Sequence, residues 1–267
     1  MSLQTTLALL EARKQKLLPG HVWLAGAGPG DPGCLTLDVV SALTQADTLV
    51  YDALVDPEVV AIADHAEKTF VGKRGGHISI TQAEITAKLI AFAREGRKVL
   101  RLKGGDPYVF GRGGEEALAL AKENIPFRFL PGLTSGLSAL GHLNIPPTMR
   151  GMNKAIILAT GQTADPGDAL DWRALAATGQ PILIYMGLAR MGHITAELMA
   201  GGMTPETPAA IIMAATTSRE RIHVATLGTI AQEAAREGFA SPVLTVVGHI
   251  VSMRAELQAL ISEAGKG

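Results

Sequence analysis

Short apolar runs that stop at glycine-rich loops are the strongest constraint on how this 267-residue chain folds. Val22 to Ala27 runs into Gly28-Pro29-Gly30-Asp31, and Thr69 to Val71 into Gly72-Lys73-Arg74-Gly75-Gly76. Lys98 to Leu102 stops before Gly104-Gly105-Asp106-Pro107, and Phe127 to Leu130 before Pro131-Gly132. Runs this short fit buried strands, and the glycines and prolines that end them permit sharp turns. Between them lie stretches with helical spacing: Leu35 to Ala46 with Thr36 as a cap, Thr81 to Ala93 with Thr81 and Glu84 at capping-box spacing, and Glu115 to Lys122. Thr48 to Tyr51 adds a strand that ends at Asp52, so the chain opens as a βαβ unit. The pattern is α/β, a class that binds ligands outside the carboxyl ends of its strands.

A second α/β region follows. Ala155 to Thr160, Pro181 to Tyr185, Ala209 to Ala214 and Val243 to Val247 fit strands, with helices over Trp172 to Ala177, Met191 to Ala200 and Ile230 to Glu237. Pro146-Pro147 and Gly151 interrupt regular structure between the regions. The expected organisation is an N-terminal extension over 1–18, an α/β domain over 19–145, a second over 146–254 and a fraying helical tail over 255–267. A cleft between the two domains is the expected active site.

Composition excludes several functions. With 24 Lys plus Arg against 25 Asp plus Glu, the net charge of -1 gives no global attraction to nucleic acid or anionic membrane. Aromatic residues at 4% are too sparse for a base-stacking platform. No uninterrupted apolar run is long enough to span a bilayer, and Met1 to Leu18 carries scattered charges without a cleavage site, unlike a secretory signal. The single cysteine, Cys34, forms no internal disulfide and points to a reducing cytoplasm, with packing as its expected role. The seven histidines form no compact metal signature.

The glycine loops carry two ligand readings. Gly26-Ala27-Gly28-Pro29-Gly30 lies between a strand and a helix, as a dinucleotide loop does, and Asp52 stands where a ribose-binding acid would. Pro29, however, has no amide proton, and the final glycine spacing is missing, so an NAD-dependent oxidoreductase is only the alternative. The Lys and hydroxyl ending of a phosphate-binding P-loop is absent too. In Gly104-Gly105-Asp106 a carboxylate would repel phosphates, whereas it suits ribose hydroxyls or a positive centre. S-adenosylmethionine has both. Any one of these glycines also serves simply as a turn, and none identifies a methyl group.

The identifying stretches are Gly26-Ala27-Gly28-Pro29-Gly30-Asp31-Pro32, Val50-Tyr51-Asp52, Val71-Gly72-Lys73-Arg74 and the long run from Arg101 through Gly104-Gly105-Asp106-Pro107 to Glu116. Pro131-Gly132-Leu133-Thr134-Ser135, Tyr185-Met186-Gly187 and Val246-Val247-Gly248 complete them. With these, from about His21 to Val251, the chain resembles the tetrapyrrole methylase family. The resemblance implies the two-domain methylase fold, a homodimer, and S-adenosylmethionine as donor. It also implies methylation of uroporphyrinogen III at C2 and C7, through precorrin-1 to precorrin-2, with two S-adenosylhomocysteine released. Methylation of a later precorrin is the nearest alternative, and a non-catalytic ligand-binding protein a further one. Met149, Gln162 and Glu220 depart from residues common in the family, which bears on substrate-carboxylate contacts near the domain boundary.

The resemblance also assigns roles. A sulfonium methyl is already electrophilic, so the chemistry needs alignment, exclusion of water and a base for the pyrrole proton. Asp52 takes the place of the family's proton acceptor and Lys73 that of its proton donor. Donor contacts fall on Pro29, Gly104, Gly105, Asp106, Val109, Thr134, Ser135, Met186 and Ala215. By side-chain chemistry, Arg74, Lys103, Arg112 and Arg150 are candidates for the macrocycle's carboxylates, the arginines by a bidentate fork and the lysine as a mobile point charge, and Arg112 and Arg150 are the preferred two.

Overall fold

The computed structural model describes residues 14–72, 80–162 and 169–264, together with Thr5. It divides into two compact units, one up to Thr134 and one from Ser135 onward.

In the first unit, β1 (Val22–Gly26), β2 (Thr48–Tyr51), β3 (Glu67–Phe70), β4 (Val99–Lys103) and β5 (Phe127–Leu130) form one sheet in the order β3-β2-β4-β1-β5. Every pairing is parallel. All five carboxyl ends therefore share one edge, and the glycine loops collect there. Helices α1 (Leu37–Gln45), α2 (Pro57–Ala61), α3 (Gln82–Arg94) and α4 (Gly113–Lys122) connect the strands. The period of two along β4 sends Leu100 and Leu102 into a core with Leu43, Leu49 and Val59, while Val99 joins Val22, Leu24, Leu89 and Leu120 on the other face. That second face also receives Arg101 and Lys103, both buried.

The expected caps are present. Thr36 accepts from the Val39 amide, and Thr81 and Glu84 form a reciprocal capping box at the start of α3. Thr81→Ala removes the Oγ1 bond to the Glu84 amide at 3.2 Å. It is expected to lower the melting temperature by about 2–4 °C; an unchanged melting curve by circular dichroism would show that the box contributes nothing. Of the expected N-terminal extension, residues 14–18 are tied down: Leu17 is buried and its amide donates to Gln45 Oε1 at 3.0 Å.

In the second unit, β6 (Ile157–Thr160), β7 (Ile182–Tyr185), β8 (Pro208–Met213), β9 (Arg221–Thr226) and β10 (Val243–Val247) form a sheet in the order β6-β7-β10-β8-β9. Only β6 and β7 pair in parallel; β10 runs antiparallel to both β7 and β8, and β9 antiparallel to β8. Trp172, Ile182, Ile184, Ile194, Leu198, Ile211 and Ile230 fill its core, with helices α5 (Ser135–His142), α6 (Trp172–Ala177), α7 (Met191–Ala200), α8 (Ile230–Arg236) and α9 (Met253–Ala264).

The division between the units and the strand β9 both differ from the sequence reading. The contacts divide the chain before α5, whereas the prolines at 146–147 place the division later. The reason is that α5 packs with the second unit, where the Gly136 amide donates to the Tyr185 hydroxyl at 3.2 Å. Strand β9 is not expected from the sequence; it is an edge strand with no fully buried residue, so Arg221, His223 and Thr226 dilute its apolar signal. Among the described residues no helix is long and apolar enough to cross a membrane, and no group of His, Cys, Asp and Glu is placed to hold a metal.

Candidate functional site

At the carboxyl edge of the first sheet, three backbones meet too closely for side chains. A Cβ on Gly26 would lie 2.5 Å from the Gly105 carbonyl oxygen and 2.6 Å from Gly132 Cα, and one on Gly132 would lie 2.3 Å from the same oxygen. Gly28 and Gly105 exchange both hydrogen bonds, at 3.1 and 2.7 Å, and both have positive φ, at 73° and 67°. Asp106 knits the next layer, its Oδ1 accepting from the Tyr108 amide at 2.8 Å and its Oδ2 from the Gly132 amide at 3.1 Å. The loop then curls back, the Gly113 amide donating to the Pro107 carbonyl at 2.8 Å, with Phe110 and Arg112 in the left-handed region. Tyr108 stacks on Phe129 with ring centroids 3.9 Å apart.

This geometry decides between the two ligand readings. A dinucleotide loop presents free amides to a pyrophosphate. Here the Ala27 amide donates to the Lys103 carbonyl, that of Gly28 to the Gly105 carbonyl, and Pro29 has none. The amides of Ala27 and Gly28 are thus spent on neighbouring backbone. Asp106 keeps lone pairs beyond the two it uses, and neither Gly28-Pro29-Gly30-Asp31 nor Gly104-Gly105-Asp106 contains a cation. That donor set fits a hydroxyl-bearing, positively charged ligand and not a polyphosphate.

Beside this edge lies a buried ionic group. Glu116, fully buried on α4, accepts at Oε1 from Gln82 at 2.8 Å, Lys103 at 3.1 Å and Arg101 at 3.3 Å. Arg101, 2% exposed, also donates to the carbonyls of Leu102 and Val50 and, through Nη2, to Asp52 Oδ2 at 3.3 Å. The other Asp52 oxygen accepts from the Leu54 amide at 3.1 Å. Asp52 thus stands at the end of β2 with both oxygens held and its side chain still 22% exposed. Burial, and then the charge of Arg101, push the Lys103 ammonium below the usual lysine range against the pull of Glu116.

In the second unit, β6, β7 and β8 also end at one edge, because the antiparallel β10 separates β7 from β8. Met186, Ala214 and Thr216 follow these ends with φ of 53°, 48° and 63°. Such backbone costs a residue with a side chain on the order of 1 kcal/mol or more, and it clusters at ligand sites. Met186 is 46% exposed, so it is not the core residue that its place after an apolar strand would favour, while Ala215 is buried. Glu220 fastens this turn: its Oε2 accepts from the Thr216 amide at 2.7 Å and lies 3.3 Å from His142 Nε2.

The expected site residues fall into separate groups. Gly104, Gly105, Asp106, Val109 and Pro29 lie at the first edge, with Asp52 at the end of β2; Thr134 closes the loop after β5, and Ser135 begins α5. Lys103 needs correction as a substrate anchor, since its ammonium is buried and bound to Glu116. Arg112 is exposed with its fork on Glu115 at 2.6 Å, and Arg150 is exposed. Lys73 and Arg74 lie outside the described residues. Arg101 and Glu116 bound the long run, and the sequence reading gives neither a role. Charges at alternate positions of an otherwise apolar strand are the available signal.

Fold and site together define an α/β protein of the class that presents a small polar ligand with glycine loops at strand ends. Residues 21–231 match the Tetrapyrrole (Corrin/Porphyrin) Methylases, and the chain belongs to this family. A uroporphyrinogen-III C-methyltransferase of Sinorhizobium sp is 44% identical over 241 residues, 89% of this chain and 86% of that protein. A siroheme synthase of Nitrosococcus oceani is 43% identical over 89% of this chain, which spans 51% of it. The crystal structure of uroporphyrin-III C-methyl transferase from Thermus thermophilus complexed with S-adenyl homocysteine superposes with a TM-score of 0.76 at 38% identity, covering 87% of this chain and 99% of that one.

Proposed function

We propose that this chain methylates uroporphyrinogen III with S-adenosylmethionine, first at C2 and then at C7, passing through precorrin-1 to precorrin-2 and releasing two S-adenosylhomocysteine. The observation that carries the reading is Asp52: a carboxylate held at both oxygens, yet open to solvent, at the end of a strand beside the glycine edge. The 44% identity to a uroporphyrinogen-III C-methyltransferase along most of both chains supports it over a later precorrin.

The donor supplies an electrophilic methyl carbon on a sulfonium. The chain's own residues bind, orient and move a proton. Asp106 offers its unused lone pairs to ribose hydroxyls, and Gly104, Gly105, Pro29, Val109, Thr134 and Ser135 supply backbone and small side chains around the donor. Met186 presents an exposed thioether and Ala215 a small apolar contact. Asp52 accepts a pyrrole N–H proton when a ring carbon gains a methyl group, which keeps the macrocycle from retaining positive charge. Arg112 and Arg150 receive substrate carboxylates, Arg112 by exchanging Glu115 for the ligand. Lys73 as proton donor follows from the family resemblance, and Arg74 is a further candidate anchor by the chemistry of its side chain. A homodimer follows from the family resemblance, and a cytoplasmic setting is supported by the lone Cys34.

Anaerobic incubation with uroporphyrinogen III and excess S-adenosylmethionine is expected to yield a product two methyl groups heavier, with two donor molecules consumed. Mass analysis that returns the tetrapyrrole unmethylated would overturn the assignment.

A further inference from the structure

We infer that Arg101 is a positioning residue for the reaction: from inside the first unit it sets the orientation of the Asp52 carboxylate. The inference rests on the reading of Asp52 as the base.

Arginine stays charged in any protein interior, and burying it costs several kcal/mol that ion pairing rarely returns in full. At position 101, on the central strand and 2% exposed, an apolar side chain would join the surrounding Val22, Leu24, Val50 and Leu89 without that cost. Stability therefore does not account for the charge. Its contacts do. Nε is anchored on Glu116 at 3.3 Å, and Nη1 on the Leu102 carbonyl at 3.0 Å, with the Val50 carbonyl at 3.5 Å. Those groups belong to a helix and two strands of the sheet, so the planar fork cannot swing. The nitrogen left over, Nη2, reaches the one carboxylate of the group that is not enclosed, Asp52.

Glu116 in turn is fixed by Lys103 and Gln82. The chain of bonds thus runs from the interior outward, Gln82 and Lys103 to Glu116, Glu116 to Arg101, Arg101 to Asp52. With the Leu54 amide on Oδ1 and Arg101 on Oδ2, the carboxylate plane is set by two donors from different elements. A proton acceptor held that way meets its substrate in one orientation, which is the condition for efficient transfer.

The test is a double-mutant cycle on the full-length protein, reading single-turnover methylation, the KM for uroporphyrinogen III, and S-adenosylhomocysteine affinity by calorimetry. Arg101→Met is expected to slow turnover by up to about a hundredfold, the scale of a misplaced reacting group, with KM and product affinity changed less than about twofold. In an Asp52→Asn background the same substitution is expected to add less than about twofold. Arg101→Lys keeps a cation against Glu116 and so guards against misfolding; it is expected to slow turnover partially, and again only when Asp52 is present. Equal losses in both backgrounds, or a loss that appears in ligand affinity, would overturn the role of Arg101 while leaving Asp52 as base. Normal turnover by Asp52→Asn alone would instead remove the base, and this inference with it.

Discussion

Gly132→Ala is expected to destabilise the first unit by more than the ~1–3 kcal/mol typical of overpacking. The added Cβ would lie 2.3 Å from the Gly105 carbonyl oxygen and 2.7 Å from Gly26 Cα and carbonyl carbon. All three are backbone atoms, one of the Gly105 loop and two of the last residue of β1, so no flexible side chain can yield. Any relief moves a loop and stretches the bond from the Gly132 amide to Asp106, so affinity for S-adenosylhomocysteine should fall as well. Gly141→Ala is the control: nothing lies within 4 Å of its Cβ, and it sits within the helix Ser135–His142. There alanine is expected to be neutral or mildly stabilising. Urea denaturation separates the two cases. Equal stability of both variants would mean that the loop backbones do not require the close approach.

Glu116→Leu is expected to cost about 3–5 kcal/mol, the range for removing one partner of a buried ion pair. The loss leaves Arg101 and Lys103 buried together without the carboxylate that both touch. Glu116→Gln should be milder, because an amide oxygen still accepts from Gln82 and Lys103. The Leu variant also has a signed pH dependence. Lys103 is already held below the usual lysine range by burial and Arg101, and Glu116 is the main influence pulling it back up. Without Glu116 the folded state binds the lysine proton still more weakly than the unfolded chain does, so the unfolded state carries more protons. Stability must then rise with pH through the window between the two values. Urea midpoints that stay flat or fall between neutral and alkaline pH would show that Lys103 does not feel this pair.

Much of this is readable from residue order alone. Strands β4, β5 and β10, the cap at Thr36 and the box at Thr81 and Glu84 come from local chemistry, and local chemistry is written in neighbouring residues. The glycine loops announce a crowded edge for the same reason. What residue order does not carry is which partner a long side chain selects. Lys103 and Arg112 are both basic residues beside glycines, yet one is buried against Glu116 and the other is exposed against Glu115. The difference is that 103 still belongs to a central strand whose side chains turn inward, whereas 112 follows the loop. The edge strand Arg221–Thr226 escapes because half-buried pairing leaves only a diluted apolar signature. Division at Ser135 reflects long-range packing of the helix that follows, including the bond from Gly136 to Tyr185, and the prolines and glycines along the chain do not by themselves single it out from the later pair at 146–147.

The paired bonds between Gly28 and Gly105, with Gly132 pressed against both strand ends, have a consequence for how a guest is received. Loops clasped this way cannot open singly, since moving either means breaking two hydrogen bonds together. The rim behaves as a mould and not as a jaw. Its shape is settled during folding, so little ordering remains to oppose association, and discrimination falls to fixed contour.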